Sequence, residues 1–120
     1  MYKQALLAGV ALWAIATAAF RFGPSGLVHA PSALRTIPSY LLNGILALIV
    51  ARLAMRWIGV PPNLRPAAVS LFILPTLLLD AFTTAFFPNV FPNLPAAGAP
   101  TFGGLMLIAA GGAVVGAWLP

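Results

Sequence analysis

The stretch AAVSLFILPTLLLDAFTTAFF, residues 67–87, decides the fold class because it is long, apolar and almost uncharged. A helix needs roughly 20 apolar residues to cross the hydrocarbon core of a bilayer. The strands of a membrane β-barrel would alternate apolar and polar side chains, whereas this run is continuous. The stretch therefore predicts a transmembrane helix, and Pro66 suits its first turn.

Three further apolar runs have the same character and predict spans at residues 4–20, 39–58 and 101–119. The chain has 120 residues, of which 62% are hydrophobic and 6% charged, against about 25% charged in an ordinary soluble domain. Four spans occupy about 80 residues and leave no room for a soluble domain. We therefore expect an all-α fold, a single transmembrane domain over residues 1–120 that forms a four-helix bundle. A cleavable signal peptide is the alternative for the first run, because Ala16-Thr17-Ala18 fits a cleavage site.

The basic residues lie at the ends of the apolar runs, and the net charge is +5. Such scattered charges predict contact with lipid headgroups and argue against a nucleic-acid partner. Lys/Arg counts favour both termini in the cytoplasm, in a bacterial inner membrane, because four basic residues fall on that side and two on the other. The cytoplasmic four are Lys3 and the predicted headgroup contacts Arg52, Arg56 and Arg65; the other two are Arg21 and Arg35.

Asp80 is the one acidic residue of the chain and falls inside the third predicted span. An ionisable group at membrane depth is costly and points to a functional site, although a structural role is the simpler alternative. Two environments are open for it. Asp80 forms an intramembrane ion pair with Arg21 or Arg35, or it stays protonated within a polar stripe of threonine hydroxyls. That stripe consists of Thr76, Thr83 and Thr84, at positions i−4, i+3 and i+4.

Other residue patterns indicate packing rather than chemistry. Gly112 and Gly116 form a small-xxx-small face for helix packing, and Asn43 can hydrogen-bond another helix. The chain lacks cysteine and has one histidine, His29, so we expect no metal site and no cofactor. No catalytic constellation is visible, which argues against an enzyme.

A tandem Phe-Pro-Asn repeat follows the third span, in the sequence FPNVFPNLP at residues 87–95. Its prolines prevent a regular helix and restrict the backbone. Its aromatic rings favour the headgroup level of a membrane. The repeat is therefore predicted to be an ordered connector that lies at the interface.

Three motifs together resemble a family of small bacterial four-helix membrane proteins that is classed only as a domain of unknown function. They are AFRFG at residues 19–23, LLDA at 78–81 and FFPNVFPNLP at 86–95. The resemblance implies four helices and an inner-membrane location, and it implies no activity. The small multidrug-resistance transporters have a similar size, but they place an essential glutamate in the first helix, where this chain has no acidic residue.

These observations favour a non-catalytic interaction role, as an accessory subunit of a larger membrane complex or a self-associating scaffold. Its partners would be membrane lipids and other membrane subunits or further copies of the chain. The alternative is a small oligomeric transporter or proton-linked carrier that uses Asp80. A third hypothesis is a membrane enzyme or lipid-handling protein that uses the face formed by Arg52 and Arg56.

Overall fold

A computed structural model describes residues 1–120, the side chain of Ser25 excepted. The chain forms α1 (Tyr2–Phe22), α2 (Ala33–Ile58), α3 (Arg65–Ala85), the single turn α4 (Phe87–Val90) and α5 (Ala99–Trp118). No strand occurs among the described residues, so the predicted all-α class is confirmed. The four long helices are each long and apolar enough to cross a membrane.

The start of α2 differs from the predicted span, because the helix begins at Ala33 rather than at residue 39. Ser32 occupies the N-cap in an extended conformation, and its backbone N–H donates to the hydroxyl of Thr36 at 3.2 Å. Pro38, which directly precedes the predicted span, lies inside the helix. A proline near a helix start removes only one backbone hydrogen bond, and the remaining turns continue the helix.

The four long helices pack as a curved row in the order α1, α3, α5, α2, with only sparse contact between the two outer members, α1 and α2. The bundle is 41 Å long. The glycine face of α5 lies against α2 of the same chain: a Cβ at Gly112 would meet the backbone of Gly44, and one at Gly116 would meet Leu48. Gly9 of α1 approaches the backbone of Phe72 in the same way. Small residues thus let neighbouring helices come close together.

Two separate hydrophobic cores occupy the two ends of the bundle. The basic end, which carries Lys3, Arg52, Arg56 and Arg65, has a core of small side chains around Met55 and Phe72. The other end, here called the aromatic end, has a core of large rings. Its buried members are Val28, Phe87, Phe91, Leu94, Phe102 and Leu105, with Phe20 and Tyr40 packed against them.

The Phe-Pro-Asn repeat builds much of the aromatic end. It was predicted to lie at the interface with its rings among headgroups, but Phe87 and Phe91 are fully buried within the protein. The ring centre of Phe91 lies 5.0 Å from that of Phe102 and 5.3 Å from that of Phe87. Asn93 donates its Nδ2–H to the carbonyl of Phe20 at 2.8 Å. This bond satisfies one of the last carbonyls of α1, which have no partner within the helix.

Candidate functional site

A cavity of about 300 Å³ lies between the two hydrophobic cores, where α1 and α2 face each other across the row. We call it the mid-bundle cleft. Its walls are mostly apolar and come from three helices. The apolar lining residues are Leu12, Ala16 and Phe20 of α1, Leu46, Ala47 and Val50 of α2, and Phe102, Met106 and Ala109 of α5. Five side chains with polar atoms also line it: Trp13, Thr17, Asn43, Thr76 and Asp80. An apolar cavity with a few convergent polar groups is the usual form of a ligand site.

Asp80 is the one ionisable group of the cleft and is only 6% exposed. Its Oδ1 accepts a hydrogen bond from Trp13 Nε1–H at 3.0 Å and another from the Thr83 hydroxyl at 3.1 Å. Its Oδ2 is buried without a hydrogen-bond partner in the part of the chain that the structure describes. Buried polar atoms are nearly always paired, so an unpaired carboxyl oxygen calls for an explanation beyond the fold.

The arginines expected to pair with Asp80 lie elsewhere. The guanidinium carbon of Arg21 lies 5.4 Å from the ring centre of Phe22, its neighbour in the chain. Arg35 is exposed in the first turn of α2. Trp13, which reaches Asp80, precedes Arg21 by two helical turns, about 12 Å. The structure therefore replaces the predicted ion pair by hydrogen bonds from an indole and a hydroxyl, since those groups stand at the level of Asp80.

The three threonines of the predicted polar stripe have different surroundings near Asp80. Thr83 is its hydrogen-bond partner, and Thr76 lines the mid-bundle cleft. Thr84 lines a second cavity, also of about 300 Å³, together with Leu77, Ala81, Gly103 and Leu107. Asp80 and Met106 line both cavities. Asp80 is therefore shared by the linings of two cavities.

Asn43 and Trp13 fix the polar edge of the cleft. Asn43 Nδ2–H donates to the carbonyl of Leu105 at 2.7 Å, which is the interhelical bond that its position in the second span predicted. Trp13 was missed by the sequence reasoning. A signal was present, because tryptophan favours membrane interfaces and Trp13 lies in the middle of a predicted span. A buried indole N–H needs an acceptor, and Asp80 is the acceptor.

The predicted headgroup arginines meet at the basic end, where Arg52, Arg56 and Arg65 line one open cleft of about 600 Å³. Arg52 is engaged within the chain. Its guanidinium donates to the carbonyls of Gly116, Leu119 and Pro120 at 3.1, 3.2 and 3.0 Å. It thereby closes the last turn of α5, whose terminal carbonyls favour a cation.

The sequence profile of DUF5367, described as a family of unknown function, matches residues 31–119. The chain belongs to this family. The DUF5367 match spans α2 to α5 and therefore includes Asp80 and Asn43, while Trp13 precedes it. No curated protein and no solved structure matches the chain. The predicted membership of an uncharacterised domain family is confirmed, and the family assigns no activity.

Proposed function

We propose that the protein is a small multi-pass carrier that binds lipophilic cations in the mid-bundle cleft and exchanges them for protons at Asp80. The observation that carries this proposal is the buried, unpartnered Oδ2 of Asp80 beside an apolar cavity of about 300 Å³. A carboxylate in such surroundings costs several kcal/mol unless a cation or a proton compensates it. A ligand cation supplies that compensation.

The lining of the cleft supports a cation with an apolar body. No lysine or arginine is among the described lining residues, and Asp80 contributes the one negative charge. The ring of Trp13 adds an aromatic face, which attracts cations that have lost their water. The surrounding leucine, alanine and valine side chains suit a hydrophobic body.

Exchange of the cation for a proton follows because both bind to the same carboxyl group. A bound cation favours the ionised form of Asp80, and release of the cation leaves a carboxylate that takes up a proton. The two ligands therefore compete for the same group, and neither step requires another reactant. Asp80 belongs to the lining of two cavities, which supports a role for this residue in binding.

Placement in the membrane is part of the same proposal. Four helices have the length and composition to cross a bilayer, and the bundle length of 41 Å fits a bilayer of about 40–45 Å including its headgroup regions. The excess of basic residues at the end that holds both termini favours that end in the cytoplasm of a bacterial inner membrane.

Proteoliposomes test the carrier directly. Purified protein would be reconstituted with an acidic interior, and uptake of phenylbutyl-trimethylammonium, a permanently charged lipophilic cation, would be followed. We expect uptake by the wild type, loss of uptake with a protonophore, and background uptake by Asp80→Asn. Asn89→Ala is the control, because Asn89 is exposed and does not line the cleft. Wild-type rates equal to those of empty liposomes, or normal uptake by Asp80→Asn, would reject the proposal.

The interaction role is a second candidate, favoured by the sparse contact between α1 and α2. A helix of another membrane subunit or of a second copy could enter the gap between them and cover the cleft. This protein would then be a scaffold or an accessory subunit. The mass of the particle purified in mild detergent separates the two roles: a stable complex that excludes the cation favours interaction, and a cation-binding particle favours the carrier.

A further inference from the structure

The open cleft at the basic end, at the opposite side of a hydrophobic core from Asp80, has the composition of an anion site. Arg52, Arg56 and Arg65 line it, together with Asn63 and Trp118. Arg52 and Arg56 are four residues apart on α2, and Arg65 begins α3 just after the tight connection at Gly59. The chain thus brings the ends of three helices and three arginines to one place.

The three arginines have different tasks. Arg52 is held by the three carbonyl oxygens at the end of α5, so its position is fixed. Arg56 is exposed and Arg65 is half-buried. Both guanidinium groups lack a hydrogen-bond partner among the described residues, although they line the same cleft. Arg52 therefore positions one wall, while Arg56 and Arg65 are available to a ligand.

No acidic side chain is among the described residues that line this cleft. Asp80 is the sole acidic residue of the sequence, and it lines the two cavities described above rather than this one. Like charges four residues apart on one helix repel each other. An anion placed among the three guanidinium groups would remove that repulsion and satisfy the unpaired N–H donors.

We propose that Arg56 and Arg65 bind a phosphate group in this cleft, with Arg52 holding the end of α5 in place behind it. Guanidinium groups match phosphate oxygens by paired hydrogen bonds, which a single ammonium cannot do. Trp118, which is 75% exposed at the rim, adds an amphipathic ring of the kind found at headgroup level. The phosphate comes from an anionic phospholipid headgroup or from free phosphate.

The test compares lipid retention and thermal unfolding in two settings. In the first, wild-type protein is extracted from mixed phosphatidylglycerol and phosphatidylcholine vesicles, and retained lipid is counted by native mass spectrometry. In the second, protein in phosphatidylcholine nanodiscs is melted with and without inorganic phosphate. Retained phosphatidylglycerol identifies a headgroup as the ligand, and stabilisation by inorganic phosphate alone identifies free phosphate. Either result supports the site, and neither result in the wild type would overturn it.

The decisive variant is Arg56→Ala/Arg65→Ala, and its matched control is Arg35→Ala, which removes an exposed arginine outside the cleft. We expect binding to weaken about fivefold for each arginine and about thirtyfold for the pair, since one basic residue near an anionic surface contributes about 1 kcal/mol. The control should bind like the wild type. A loss in the control equal to that of Arg56→Ala or Arg65→Ala alone would show a diffuse charge effect and overturn the proposal.

Folding of the double variant is checked by circular dichroism in phosphatidylcholine nanodiscs. If it does not fold, Arg56→Lys/Arg65→Lys keeps the charge and the aliphatic stems while removing the guanidinium geometry. This variant should lose part of the binding to the phosphate group. Binding at the wild-type level would contradict a site built on guanidinium–phosphate pairing.

Discussion

The aromatic end and the mid-bundle cleft are formed by the same long helices. Side chains fill the space between the helices at the aromatic end, whereas that space stays open in the cleft. At the aromatic end, four phenylalanine rings fill the bundle, with Phe87 and Phe91 fully buried. One or two turns further along, α1 and α2 present alanine, threonine and leucine, and a cavity of about 300 Å³ remains. The filled region has few polar side chains, whereas the open region holds the one carboxyl group.

This difference separates residues that hold the bundle together from residues available to a ligand. Unfilled apolar space normally costs stability, because the atoms around it lose contacts. The mid-bundle cleft is unfilled, and the buried Oδ2 of Asp80 has no hydrogen-bond partner among the described residues. Two features that lower stability therefore occur at one place. Local costs of this kind cluster at functional sites.

The largest expected effect is at the filled end. Phe91→Ala should lower the free energy of unfolding by about 3–5 kcal/mol, because it empties a well-packed site between Phe87 and Phe102. Phe86→Ala is the control, since the Phe86 ring is 56% exposed. Unfolding in detergent, followed by circular dichroism, measures both. Similar losses for the two variants would show that the cluster is not a packed core.

A matched pair on α2 compares the cleft with the core at the basic end. Ala51 is fully buried in that core, and Ala47, one turn before it, lines the cleft. Ala51→Leu should therefore destabilise the protein by about 1–3 kcal/mol through overpacking. Ala47→Leu should leave the melting temperature nearly unchanged, because the cleft has room, and should block uptake of the cation. Equal destabilisation by the two variants would mean that the cleft is not open space.

The repeat itself offers the smallest and cleanest comparison. Asn93 and Asn89 occupy the same place in successive Phe-Pro-Asn units, but Asn93 donates to the carbonyl of Phe20 and Asn89 is exposed. Asn93→Ala should cost about 1 kcal/mol in unfolding free energy, as interhelical hydrogen bonds of membrane proteins do. Asn89→Ala should have no measurable effect. A larger loss for Asn89→Ala than for Asn93→Ala would contradict the hydrogen bond between Asn93 and α1.

The sequence predicted the helical class because continuous apolar runs have one common explanation in a chain with so few charges. It also indicated Asp80, because an ionisable residue is unusual inside an apolar span. The partner of Asp80 could not be predicted in the same way. Membrane depth suggested an arginine at the same end, but side-chain contacts depend on how α1 is rotated and shifted against α3. In the structure Gly9 of α1 closely approaches the backbone of Phe72 in α3, a contact between residues distant in sequence.

The Phe-Pro-Asn repeat shows the same limit. Proline spacing correctly predicted a short and constrained segment, and α4 is a single turn. The preference of aromatic rings for the headgroup level predicted that its rings lie outside the bundle. They lie inside it instead, in the space between α1 and α5. Local patterns determine whether a segment is ordered, but the direction of its side chains depends on space that other segments leave.

Binding of a cation at Asp80 is tested most directly by equilibrium binding of phenylbutyl-trimethylammonium to the protein in nanodiscs, compared with its neutral carbon isostere. We expect the wild type to bind the cation about tenfold or more tightly than the isostere, because a desolvated carboxylate and an indole face both favour positive charge. In Asp80→Asn, this preference should fall to the smaller part that the indole face contributes, while the isostere binds as before. Equal affinity of the wild type for the two compounds, or an unchanged preference in Asp80→Asn, would contradict the account.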